Sequence, residues 1–211
     1  MADKNGTIDE ISKVSSERDL GILFENSLSF EMHINKIVNK ANSLVGLIKR
    51  YFAFMNKYLF LRIYKTVIRP HLDYGNNIYY PFLKKNIRIL ENVQRRATKI
   101  VPEIRTLPYE ERLNFLKLPT LDYRRKRGDL IVLYKIIHEI DDIDCSSLFT
   151  KAENQHDIRG HNYKLSKPRA SKTVRQQSFT HRIINTWNSL PSDIVSAKSV
   201  DSFKAKLDTL W

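Results

Sequence analysis

The chain has 211 residues, 42% of them hydrophobic, enough for one core of moderate size or for a core with an appended subdomain. Its 36 Lys and Arg against 23 Asp and Glu give a net charge of +13, so an acidic partner is expected, nucleic acid first and an anionic membrane surface second. The single cysteine, Cys145, excludes an internal disulfide and a zinc site of several thiolates. No apolar run approaches the roughly 18 residues needed to span a bilayer, and "MADKNGTIDEISKV" lacks the apolar stretch of a secretory signal. The expectation is a soluble protein of a reducing, intracellular compartment, with nucleus and cytoplasm both open.

In chain order, residues 1–16 read as a polar, disordered leader. "RDLGILFENSLSF" then has a short apolar run and turn-forming residues, which suits a strand or hairpin over residues 17–30. From Glu31 to about Phe54, Ile34, Ile37, Val38, Ala41, Val45, Ile48 and Phe52 recur at helical spacing. A second helix is predicted from Lys57 to Arg69, kinked or ended by Pro70. A third covers about Lys84 to Val101 and stops at Pro102; a short fourth has Pro108, Glu110 and Glu111 in its first turn. A fifth covers about Leu121 to His138, with Leu130, Leu133, Tyr134 and Ile137 as its buried stripe.

The acidic connection "EIDDIDCSSLF" suggests a boundary near residue 141, between a helical domain (31–140) and a C-terminal region (141–211). Residues 157–177 read as an irregular basic arm with one or two short strands around Tyr163 and Leu165. Phe179, Ile183, Trp187 and Leu190 mark a sixth helix, with Trp187 as its docking anchor, and Ser199 caps a seventh. The fold class is therefore mainly α: a helical bundle preceded by a short β hairpin, with a small basic arm and two C-terminal helices.

The first 30 residues carry a net charge of −3, which leaves +16 for the rest. Three basic features carry that excess. Arg88, Arg95 and Lys99 line up opposite the apolar face of the third helix; Arg124, Arg125, Lys126 and Arg127 form a cluster; and Arg159, Lys164, Lys167, Arg169, Lys172 and Arg175 stud the arm. Side chains so placed can track a phosphate backbone without reading its sequence, and these are the candidate nucleic-acid contacts. For any one stripe, plain solvated surface is the competing interpretation. Tyr74, Tyr79, Tyr80 and Phe82 could stack on bases, although packing at a helix corner is the commoner use of such residues.

Other chemistries fit poorly. Asp141 and Asp142 follow a helix instead of sitting between two strands, so a solvated acidic loop outweighs a metal site. His138, Cys145, His156 and His161 follow no closed zinc-ligand spacing. No nucleophile elbow and no glycine-rich phosphate loop is present.

The ordered set "ERDLGILFENSLSFEMHINKIVNKANSLVGLIKR", "IYKTVIRPHLDYG", "ILENVQRRATKIV", "LPYEERLNFLKLPTLDYRRKRGDLIVLYKI" and "HRIINTWNSLP" resembles the carboxy-terminal part of LINE-type (non-LTR) retrotransposon reverse transcriptases, especially jockey-like ones. The resemblance covers about residues 17–211. It implies that "RDLGILF" is a remnant of the last palm strand, that residues 31–140 are the thumb, and that an RNA/DNA hybrid is the favoured partner.

Polymerisation in that family needs paired aspartates in an aromatic-Ala-Asp-Asp turn to hold two Mg²⁺ ions. Those ligands are expected upstream of Arg18 and are absent from this chain, so neither a cofactor nor enzyme activity is expected of it alone. The resemblance thus implies a nucleic-acid-binding fragment of an RNA-directed DNA polymerase, prone to self-association or to docking on a palm. Two alternatives stand beside it: one segment of an active polymerase whose palm is supplied elsewhere, or a basic module for a protein or membrane surface.

Overall fold

The computed structural model describes residues 13–152 and 160–210. The chain opens with an antiparallel hairpin, β1 (Ser16–Asp19) and β2 (Ile22–Glu25), in which Ser16 faces Glu25 and Asp19 faces Ile22. Leu20 and Gly21 between them have φ of 45° and 86°, the two-residue turn whose twist matches the strands. Glycine takes that geometry freely and Leu20 does not; the Leu20 carbonyl is held by the Tyr74 hydroxyl, which donates to it at 2.7 Å.

Helices follow. In α1 (Glu31–Tyr51) the stripe Ile34, Val38, Ala41, Val45 and Ile48 is buried, at the three- and four-residue steps that the sequence shows. Asn56 caps α2 (Lys57–Ile63), its side-chain oxygen accepting from the Leu59 amide at 2.9 Å. Pro70 does not end this helix. The chain widens into a π turn over Tyr64–Ile68, in which the Arg69 amide donates to the Tyr64 carbonyl, and continues as α3 (Arg69–Asp73). The wider turn opens the ladder where Pro70 lacks a donor, and leaves the proline in the first turn of a new helix, where none is needed.

The third predicted helix is shorter than its pattern. α4 spans Lys84–Ala97, a 3₁₀ turn takes Thr98–Ile100, and a second starts at Pro102. Then come α5 (Tyr109–Leu116) and α6 (Leu121–Ile137), the latter capped by Thr120, whose hydroxyl accepts from the Tyr123 amide at 3.2 Å.

Beyond α6 lie α7 (Cys145–Leu148), the short paired strands β3 (Thr150–Lys151) and β4 (Leu165–Ser166), α8 (Thr173–Gln177), α9 (Phe179–Asn188), α10 (Ser192–Val195) and α11 (Val200–Leu210). The single-turn helices α7, α8 and α10 are too short to leave a period in the sequence. The architecture is a mainly helical bundle preceded by a β hairpin, and no described helix is long and apolar enough to cross a membrane.

Two hydrophobic clusters share α6. Leu121 closes a cluster built on Phe60, Tyr64, Leu90 and Val93, while Leu130, Leu133, Tyr134 and Ile136 belong to a second cluster around Trp187 and Phe203. The cores therefore part inside α6, upstream of the acidic connection near residue 141, and at its end Ile136 is buried while Ile137 packs partly buried against the same cluster. Trp187 is fully buried and its indole N–H donates to the Tyr163 carbonyl at 2.8 Å, tying the arm to α9.

Candidate nucleic-acid interface

The expected stripe Arg88, Arg95 and Lys99 does not stay together. All three side chains are exposed, but only Arg88 and Arg95 lie on α4 itself. The Arg95 guanidinium stands 4.6 Å from the centre of the Tyr109 ring, toward α5. Lys99 falls in the 3₁₀ turn, where the tighter pitch brings it into line with Arg96.

There Lys99 shares a groove with Lys49 of α1, Arg96 of α4 and Arg105, over a floor of Val45, Gly46 and Ile100. The four cations are exposed, and among the described residues none of them has a carboxylate within ion-pair distance. No acidic residue lines the groove. Four like charges around one groove, from α1 on one side and from α4 and the turns after it on the other, with no counter-ion, form an anion-attracting surface.

The backbone under this groove is fixed. Buried Arg112 of α5 donates through one guanidinium nitrogen to the Arg95 carbonyl and the Thr98 hydroxyl, both at 2.7 Å, and Arg105 donates to the Lys99 carbonyl at 3.2 Å. Gln94 sits beneath, buried, donating to the Pro119 carbonyl at 2.9 Å and the Tyr109 hydroxyl at 3.0 Å, while accepting from the Tyr64 hydroxyl. Tyr109 donates to Glu91, whose other oxygen accepts from the Leu121 amide at 2.9 Å and so caps α6. Burial pushes the Tyr64 and Tyr109 phenols far above the usual range, which keeps both as donors. A connected polar network of this kind holds α4 in one position against its neighbours.

The cluster Arg124 to Arg127 has other work. Arg124 pairs with Asp73 at 2.8 Å, Lys126 with Asp122 at 2.7 Å, and Arg127 with Asp208 at 2.6 Å, joining α6 to α3, to itself and to α11. Arg125 is 2% exposed and donates to the Leu72 carbonyl at 3.3 Å, so it is unavailable to a phosphate. Four consecutive helical residues point around the whole axis and do not form one face.

In the arm, Lys167 and Arg169 are exposed, and Arg175 lies in α8 with a long contact to Thr180 at 3.4 Å. Lys172 is exposed at the start of α8, and Arg159 lies outside the described residues. Of the aromatic group, Tyr79 is fully buried and Tyr80 and Phe82 are half-buried, leaving Tyr74 exposed.

Asp141 accepts from Lys135 at 3.2 Å in the loop after α6, and Asp142 is exposed beside it. His138 bonds the Val195 carbonyl at 2.9 Å and His161 the Trp187 carbonyl at 3.1 Å; His156 lies outside the described residues. Among the described residues no group of three or more His, Cys, Asp or Glu converges as metal ligands.

Sequence reasoning missed Lys49, Arg96 and Arg105 as partners of Lys99. For Lys49 and Arg96 the only signal was negative, cations on α1 and α4 with no opposite charge one turn away, and Arg105 lies beyond both helices.

No family model matches the chain, and no solved structure matches it. Over 73 residues it is 34% identical to an uncharacterized protein of Caenorhabditis elegans, a stretch that covers 35% of this chain and 37% of the relative's length.

Proposed function

We propose that this chain binds nucleic acid through the sugar-phosphate backbone, in the manner of the thumb and downstream region of a LINE-type reverse transcriptase, gripping a template/primer duplex for a polymerase site formed by other residues. The observation that carries this reading is the groove in which Lys49, Arg96, Lys99 and Arg105 meet without a carboxylate. Phosphates satisfy such cations at regular spacing and release counter-ions in doing so. The order of the resembling segments and the helical fold behind a hairpin are compatible with it. Arg88, Lys167 and Arg169 remain exposed and extend the basic surface.

The experiment is a competition. The full chain is bound to a labelled RNA/DNA hybrid and challenged with unlabelled hybrid and with phosphatidylserine vesicles of equal charge concentration. Displacement by hybrid at much lower concentration supports the proposal. Displacement by vesicles at the same or lower concentration transfers the groove to an anionic membrane surface.

A further inference from the structure

The groove between α1 and the turns after α4 holds more than cations. It encloses a hollow of about 340 Å³, the size of the smaller pockets that take small ligands. Apart from its four cations and Asn42, the hollow is lined by Val45, Gly46 and Ile100, an apolar floor that offers no side-chain donor or acceptor. A duplex lying across a basic surface meets the cations with its phosphates and makes no use of an apolar recess below them.

The helix gives up stability to keep that recess open. Gly46 sits inside α1, where glycine is the poorest helix former after proline, yet a Cβ added to it meets nothing within 4 Å. Packing within the chain does not call for the glycine, and the space over its backbone stays empty. One turn earlier on the same face, Asn42 also lines the hollow. Asparagine too is a weak helix former, and among the described residues the Asn42 side-chain amide makes no hydrogen bond. Asn42 and Lys49 lie about 10 Å apart along the helix axis, a span comparable to one nucleotide from its phosphate to the far edge of its base.

We infer that this hollow seats one unpaired nucleotide, its phosphate among Lys49, Arg96, Lys99 and Arg105, a face of its base against the open floor at Gly46, and the base edge toward the Asn42 amide. The inference rests on the proposed function and adds to it the state of the nucleotide that is held. A nucleotide is anionic at its phosphate, apolar on the faces of its base and polar at the base edge, and the lining of the hollow supplies a group for each. In a duplex, stacked neighbours cover the base faces, so only an unpaired nucleotide can bring phosphate and base into one recess. An amide both donates and accepts, so Asn42 can meet the edge of any base.

The test measures the affinity of the full chain for a short single strand and for an abasic strand of the same length, which keeps the phosphates and lacks the bases. Wild type binds the base-bearing strand about tenfold tighter, the factor that about 1.4 kcal/mol supplies. Gly46→Leu, a good helix former whose side chain fills the floor, is checked by its thermal unfolding and brings the ratio of the two affinities toward one. Asn42→Ala, which takes away the amide and favours the helix, lowers the ratio part of the way. A wild-type ratio of one, with binding that still weakens as salt rises, overturns the nucleotide seat and leaves the backbone grip standing. A full ratio in folded Gly46→Leu overturns the seat as well; if that variant does not fold, a full ratio in Asn42→Ala does so. Absence of wild-type binding to either strand overturns both the seat and the proposed function.

Discussion

Arg182 of α9 grips Asp129 of α6 with two parallel hydrogen bonds of 2.9 and 3.0 Å, at the joint between the two hydrophobic cores. The carboxylate is 2% exposed and the guanidinium 9%. The same guanidinium donates to the Asn77 and Gln177 carbonyls and lies 4.5 Å from the centre of the Tyr80 ring. Burial pushes the Asp129 carboxyl up, against the opposing pull of Arg182. Asp129→Ala leaves a buried cation without its partner and is expected to cost about 3–5 kcal/mol in urea unfolding. A cost below about 1 kcal/mol would show that the two cores do not depend on this pair.

The exposed pairs of α6 behave differently. Arg124 and Asp73 are 30% and 28% exposed and Arg127 and Asp208 22% and 52%, so solvent screens both. Arg124→Ala and Arg127→Ala are each expected to cost less than about 1 kcal/mol and to leave affinity for an RNA/DNA hybrid unchanged. A clear drop in affinity, with the fold intact, would return these arginines to the binding surface.

Gly46 lies inside α1, and a methyl group added there meets nothing within 4 Å. Glycine costs a helix interior about 1 kcal/mol relative to alanine, and no internal packing here requires it. Gly46→Ala is expected to raise stability by about that amount. Gly46→Glu keeps a good helix former but sets a carboxylate among four cations; it is expected to fold and to weaken nucleic-acid binding, read by anisotropy against wild type.

Burial lowers the pKa of His33 and of His161, for His33 with help from Lys36. The unfolded chain therefore binds more protons than the folded one as pH falls through the unfolded value of about 6.5. The stabilising contribution of the neutral rings is complete above that value and is lost below it. The melting temperature is expected to fall between about pH 7.5 and about pH 5.5, and a flat profile over that window would contradict the sign.

The apolar stripe of α1 was legible because its period runs unbroken through Ile34, Val38, Ala41, Val45 and Ile48. The π turn at Tyr64 was not, since Pro70 announces a broken ladder without saying how the chain repairs it. Extending the α4 pattern at a constant angle to Lys99 grouped it with Arg95, whereas the 3₁₀ turn that begins at Thr98 moves it beside Arg96 and opposite Lys49. Arg105, beyond Pro102, has no helical phase to place it. The dispersal of Arg124 to Arg127 follows from 3.6 residues per turn alone. Pairing across long separations, such as Arg182 with Asp129, leaves no local trace.

The most direct test is the salt dependence of binding to an RNA/DNA hybrid, wild type beside Lys49→Gln, Arg96→Gln, Lys99→Gln, Arg105→Gln. The expected result is steep loss of wild-type affinity with salt, and a slope in the variant smaller by about 0.9 for each phosphate contact removed. Equal slopes for the two proteins, or no wild-type binding at low salt, would contradict the assignment of the groove to a nucleic-acid backbone.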